Sequence, residues 1–122
     1  MEKIITFPGQ VASCWAAYAP QFDAVYIIDA ARPNVTTINP ETGEVRGQTS
    51  FSENKVVEFG GADARVDRNW LYILSDNQMD PKVIVIEVRP GQVPITIQEF
   101  NIFQQVGMIP GWMGMAICPT GY

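Results

Sequence analysis

Val25-Tyr26-Ile27-Ile28-Asp29, followed by Val35-Thr36-Thr37-Ile38-Asn39-Pro40-Glu41-Thr42-Gly43-Glu44-Val45, returns in altered form as Leu71-Tyr72-Ile73-Leu74-Ser75-Asp76 and then Val83-Ile84-Val85-Ile86-Glu87-Val88. Tyr26 and Tyr72 lie 46 positions apart. That period suits four short antiparallel strands and their turns, which is one blade of a β-propeller. A second echo sets Glu2-Lys3-Ile4-Ile5-Thr6-Phe7-Pro8-Gly9 against Asn54-Lys55-Val56-Val57-Glu58-Phe59-Gly60-Gly61, each ahead of an innermost strand. A third sets Met115-Ala116-Ile117-Cys118-Pro119 against Ala16-Ala17-Tyr18-Ala19-Pro20. The expectation is an all-β chain of antiparallel four-stranded blades, about two blades plus flanking strands. Residues 1–10 then form an outer strand of a preceding blade, 11–53 the first blade, 54–101 the second with its leading strand, and 102–122 the first strand of a further one. Closed propellers take four to eight blades, so this one is incomplete.

Each apolar run of four to seven residues is rich in Val, Ile, Tyr or Phe and is bounded by Gly, Pro, Asn or Asp, the punctuation of strands and turns. Strands are expected over 3–7, 12–18, 24–29, 35–39, 44–51, 55–59, 62–66, 71–75, 83–88, 95–100 and 113–118. Only 102–106 suits a helical turn. Pro40-Glu41-Thr42-Gly43 is a tight turn, because Pro presets φ early and Gly accepts a positive φ at the end. Four-stranded meanders are expected through 12–51 and 62–100, with 3–7 and 113–118 joining neighbouring sheets.

Apolar residues make up 47% of the 122, enough for a sizeable core. With a net charge of −5 and no cluster of Lys or Arg, the chain lacks the counterion-releasing surface that nucleic acid demands. No apolar run reaches the eighteen or so residues that span a bilayer, and Met1 is not followed by a basic and then apolar leader. Neither nucleic acid nor membrane is expected as a partner. Self-association or pairing with further blades is expected, because an open set of blades leaves strand edges and an apolar sheet face to cover.

Cys14 and Cys118 permit one disulfide. In a propeller their strands belong to blades two steps apart, with Cα atoms beyond about 7 Å, which favours free thiols acting as small buried hydrophobes.

The absence of histidine removes a Ser-His-Asp triad, a histidine base and a histidine-based zinc site, so no catalytic residue, metal or cofactor is assigned. Asp63 and Arg65 alternate with Ala62, Ala64 and Val66, so they share one strand face and form the best candidate ligand-binding pair at a channel mouth. An ion pair within the blade is the structural alternative. Asp67-Arg68-Asn69 reads as a turn between first and second strands, and Asp23 and Asp29 as hairpin residues. The stretch Ser75-Asp76-Asn77-Gln78-Met79-Asp80-Pro81 carries oxygen-bearing side chains but lacks the Gly and Glu of a calcium loop. Trp15, Trp70 and Trp112 suit either packing between sheets or stacking on a sugar.

Cys14-Trp15-Ala16-Ala17-Tyr18-Ala19-Pro20-Gln21-Phe22-Asp23-Ala24-Val25-Tyr26-Ile27-Ile28-Asp29 and the ending Ile109-Pro110-Gly111-Trp112-Met113-Gly114-Met115-Ala116-Ile117 resemble the C-terminal part of secreted fungal proteins described as 3-carboxymuconate cyclase-like. Those belong to the seven-bladed, lactonase-type β-propellers. The likeness spans nearly the whole chain and about a third of a complete member. Lactonase-type enzymes use an Arg-His pair in a Gly-Pro-Arg-His stretch, where this chain has Glu58-Phe59-Gly60-Gly61. The resemblance therefore implies a non-enzymatic, extracellular propeller portion: a scaffold, surface antigen or binding module. One alternative is a lactonase or cycloisomerase completed by other blades or chains; another is a carbohydrate-binding module. A small molecule or glycan is then the expected ligand. The secreted setting that the resemblance implies gives meaning to the sequon Asn34-Val35-Thr36 as a glycosylation site, the alternative being a bare turn asparagine.

Overall fold

The structure, a computed structural model, describes residues 4–51, 60–75, 81–90 and 94–102. Among these residues eight strands run in chain order: β1 (Ser13–Ala19), β2 (Ala24–Asp29), β3 (Asn34–Ile38), β4 (Val45–Ser50), β5 (Gly61–Asp67), β6 (Trp70–Ser75), β7 (Lys82–Glu87) and β8 (Ile95–Asn101). They form two four-stranded sheets, ordered β1-β2-β3-β4 and β5-β6-β7-β8, and every pairing is antiparallel. The protein is all-β, with two meanders in an incomplete propeller-like arrangement. Val25–Ile28 and Leu71–Leu74 sit in separate sheets, as two repeats of one unit must.

Turn chemistry explains the connections. Between β1 and β2 the chain makes one turn of 3₁₀ helix, Pro20–Phe22, ended by Asp23 in the left-handed region at φ 48°. Short polar residues tolerate that conformation better than most. Between β3 and β4, Asn39 Oδ1 accepts the backbone N–H groups of Glu41 and Thr42, and Gly43 at φ 73° returns its N–H to the Asn39 carbonyl at 2.8 Å. The Pro40-to-Gly43 turn is thus where the sequence placed it. Arg68 and Asn69 form the tight turn between β5 and β6, with Arg68 at φ 53°.

Residues 4–7 are not a strand. They run over the face of the first sheet instead of extending an edge: Ile5 and Phe7 lie beside Cys14, Ala16, Ile27 and Ile38, and Gln48 Nε2 donates to the Pro8 carbonyl at 3.2 Å. The expected strands over 55–59 and 113–118, and most of the expected helical turn over 102–106, lie outside the described residues.

One core joins the sheets. Ala17, Tyr26, Ile28 and Val35 from the first meet Ala64, Leu71, Ile73, Ile84 and Ile86 from the second, and Ile28, Val35, Leu71 and Ile73 are wholly buried. Burying each such aliphatic side chain contributes about 1.5–3 kcal/mol. Cross-strand partners fix which residues share a face. On the first sheet Trp15, Ile28 and Val35 are in register, as are Ala17, Tyr26 and Thr37, and these look onto the second sheet. Ala16, Ile27 and Thr36, with Tyr18, Val25 and Ile38, look the other way. On the second sheet the core-facing set is Ala64, Ile73 and Ile84 with Val66, Leu71 and Ile86.

β5 packs beside β1 and touches β2, and Gly60-Gly61 make this possible. The Gly60 N–H donates to the Ala30 carbonyl at 3.1 Å, and a Cβ on Gly60 would fall 1.7 Å from the Asp29 carbonyl oxygen. A Cβ on Gly61 would meet Cγ2 of Ile28 at 2.5 Å and of Ile73 at 2.7 Å. The joint between blades is backbone against backbone.

Candidate functional site

Asp63 and Arg65 do share a face. A register shift between Gly61 and Asp63 leaves Asp63 opposite Leu74 and Arg65 opposite Tyr72, on the side of β5 turned away from the first sheet. Arg65 Nη1 donates to Asp63 Oδ1 at 2.6 Å and to the Ala64 carbonyl at 2.8 Å, while Asp63 Oδ1 also accepts the Ala64 N–H at 2.7 Å. Asp63 is 2% exposed and the Arg65 side chain 47%. A buried carboxylate is thereby held by a half-exposed guanidinium that reaches solvent from above it. Removing Arg65 takes the neutralising cation from a buried carboxylate in a low-dielectric site, whereas removing Asp63 releases a cation that water can solvate. Arg65→Ala is therefore expected to lower stability by about 1–3 kcal/mol, and Asp63→Ala/Arg65→Ala to cost clearly less than the sum of the single changes. Urea melts of the three variants check this, and additive losses would show that the pair is not a structural unit.

A second polar centre is more elaborate. Asp29, at the end of β2 and 4% exposed, accepts four backbone N–H groups: Val11 at 2.8 Å and Ala12 at 3.0 Å on Oδ2, Ala31 at 2.8 Å and Arg32 at 3.1 Å on Oδ1. Burial pushes this carboxyl toward higher pKa, and the four N–H donors more than offset it, holding the pKa below the ordinary aspartate value. Asp29 is thus the residue that opens the β2–β3 hairpin, as expected, and also a clamp between the segment entering β1 and the bend leaving β2. The bonds to Ala31 and Arg32 follow the short-range pattern that aspartate makes with the residues two and three ahead, a signal the sequence contains. Those to Val11 and Ala12 depend on the fold and are invisible before it.

Arg46 on β4 does similar work at the other end of the first sheet. Its Nη1 donates to the carbonyls of Asp23 at 2.6 Å and Phe22 at 3.3 Å, and Nη2 lies 3.6 Å from Asp23 Oδ2. It borders an open cleft of about 330 Å³ lined also by Tyr26, Thr37, Arg89 and Pro94. Burial raises the pKa of the Tyr26 phenol above its ordinary value, and the nearby Arg46 charge partly opposes this. Arg89 in turn pairs with Glu87. Both guanidiniums at the cleft are already engaged by acidic or carbonyl oxygens. No family model, no curated protein and no solved structure matches the chain. A wider groove of about 640 Å³ runs between the outer strands β4 and β8, bordered by Thr49, Phe51, Lys82, Ile95 and Ile97.

The remaining candidates fall in different places. Trp15 packs against the core, and Trp70 is half-buried opposite Glu87 in the β6–β7 ladder. Asn34 begins β3, half-buried, opposite Ser50, its N–H donated to the Arg32 carbonyl at 2.8 Å. Cys14 is a free thiol, and it is exposed on the outward face of the first sheet where a buried position was expected. The strand was correctly located, but which of its two faces meets a neighbouring sheet is set by the joint at Gly60-Gly61. Cys118, Trp112 and 76–80 lie outside the described residues.

Proposed function

We propose that the chain is a non-enzymatic, extracellular propeller portion whose role is to scaffold and bind, as its resemblance to the lactonase-type propellers without their Arg-His pair implies. The observation that carries this reading is the employment of the polar side chains. Asp29, Arg46, Asp63 and Arg65, the groups best placed to do chemistry, each hold backbone or one another. A catalytic acid, base or oxyanion donor needs a free valence aimed at a substrate, and a carboxylate that accepts four backbone N–H groups has spent its lone pairs. The proposed setting makes Asn34 a glycan acceptor at the start of β3, beside the exposed bend residues Ala31 and Arg32. Further blades, a second copy, a small molecule or a glycan are the partners that fit such a module. The expected result is no turnover of aliphatic lactones by the purified chain above the buffer rate. Hydrolysis that disappears in Asp63→Ala would replace this reading with an enzymatic one.

A further inference from the structure

The cleft beside Arg46 is emptier and more polar than the repeat requires. In register, Tyr26, Thr37 and Gly47 of the first sheet correspond to Tyr72, Val85 and Gln98 of the second. Both sheets shift register at the next step, which leaves Arg46 on β4 without a cross-strand partner and Ile97 in the same position on β8. One copy of the unit thus folds with valine, glutamine and isoleucine where the other has threonine, glycine and arginine. The blade accommodates an apolar, filled row here, so the polar, open one needs a reason beyond the fold. A bulge re-aims the side chain it carries, and bulges gather at binding sites for that reason.

The row is short of partners as well as open. A Cβ on Gly47 would meet nothing within 4 Å. Tyr26 borders the cleft at 2% exposure, and its hydroxyl makes no hydrogen bond among the described residues. A buried hydroxyl in that state costs stability until water or a ligand pairs with it. Burial keeps this phenol protonated, so it stands as an O–H donor close enough to Arg46 to feel its charge. Arg46 spends Nη1 on the Asp23 and Phe22 carbonyls, which fixes the guanidinium. Its Nε and Nη2 make no hydrogen bond among the described residues, with Asp23 Oδ2 standing 3.6 Å from Nη2. That edge of two parallel N–H groups matches the two oxygens of a carboxylate. Arg89 adds a second cation, and Glu44 is the one acidic residue among those lining the cleft. We infer that the cleft binds a small organic carboxylate, its oxygens on Arg46 and the Tyr26 hydroxyl and its apolar body over Gly47 against Phe22, Val45 and Pro94. A volume of about 330 Å³ lies at the small end of ligand pockets and suits a molecule of one ring. A neutral sugar asks for acceptors as often as donors, and guanidiniums offer donors only. No residue of β1 or β5 lines the cleft, so it is separate from Asp63 and Arg65.

The inference names a ligand class for the binding module proposed above and rests on that reading. Titration of the full chain with benzoate, followed by backbone amide NMR shifts, is expected to saturate with a Kd of about 1 mM and to move Tyr26, Thr37 and Gly47. Benzyl alcohol, which lacks the charge, should bind about tenfold more weakly. Tyr26→Phe removes the hydroxyl, keeps the ring in the core, and should weaken benzoate by about tenfold. Gly47→Gln installs the residue that the second sheet carries at this position and should abolish binding with no loss of melting temperature. It covers the case in which a change at Arg46 loosens the connection that Arg46 anchors. No saturable shift up to about 20 mM benzoate overturns the inference. So does equal binding of benzyl alcohol, tighter binding of glucose, or benzoate binding that survives both Tyr26→Phe and Gly47→Gln. A chain that neither binds benzoate nor turns over lactones keeps the scaffold reading and loses this site. Lactone turnover overturns the scaffold reading, and benzoate binding lost in Gly47→Gln would stand beside it.

Discussion

Gly60→Ala is expected to destabilise the protein by about 3 kcal/mol, lowering its melting temperature by roughly 10 °C. The added methyl group has no free volume, because it would lie 1.7 Å from the Asp29 carbonyl oxygen and 2.6 Å from the Ala30 carbonyl carbon. Both obstacles are backbone, so no rotamer change relieves the clash. The two sheets must part locally, and the Gly60 N–H then loses the Ala30 carbonyl, which adds about 1 kcal/mol. Gly61→Ala meets two buried isoleucine methyls instead, which can shift slightly, so its loss should be the smaller of the two. Thermal and urea unfolding of the two variants tests the ranking. A Gly60→Ala protein within 0.5 kcal/mol of the parent would mean that the close approach of the blades does not exist.

Asp29→Ala should match it in size. The change strips the acceptor from the N–H groups of Val11, Ala12, Ala31 and Arg32. Water can reach some of them, so the loss is placed at about 3–4 kcal/mol, below the sum of four charge-assisted bonds. Asp29→Asn keeps one acceptor oxygen and turns an amide donor toward two N–H donors, and should fall between. The sign of the pH dependence follows from the depressed pKa of the folded-state carboxyl. The unfolded chain takes up its proton first as pH falls, at about 3.9, so the contribution is complete above that value and lost on descending through the lower folded-state pKa. The stability gap between parent and Asp29→Ala should therefore be constant above about pH 5 and shrink as the solution is acidified further. A gap independent of pH down to 2 would remove the charge from the explanation.

How much of this was legible in the sequence differs by element. β2 was readable to the residue, because Ala-Val-Tyr-Ile-Ile-Asp is an unbroken apolar run closed by turn formers, and β6 needed only Trp70 added in front. The turn at Pro40-to-Gly43 was readable because Pro presets φ and Gly accepts a positive one, and the turn at Arg68-Asn69 because Asn favours turns, although the left-handed position there falls on Arg68. Residues 4–7 misled: Ile-Ile-Thr-Phe has every strand-forming side chain, yet a strand needs an edge to pair with, and this segment crosses a face. The same limit hid half of the Asp29 clamp and the exposure of Cys14. Alternation shows that a strand has two faces, and only tertiary packing says which one a neighbour covers. Asp63 and Arg65 were found by alternation alone, since a shared face is a local property, while the asymmetry between a sunken carboxylate and a surfacing guanidinium is not.

Within each sheet, every hydrogen-bonded neighbour is also the next strand along the chain. Nothing has to be threaded or held open while a distant partner arrives, so either unit can zip up by short steps from its own turns. Among the described residues, what links the units is the core they share, the Gly60 N–H bond to the Ala30 carbonyl and the Gln21 side-chain bond to the Arg68 carbonyl. Such a chain is additive in the manner of a linear array, where one copy of the repeat can be gained or lost by duplicating or deleting a continuous segment. The glycine pair marks the place where such a cut leaves both neighbours with their ladders whole.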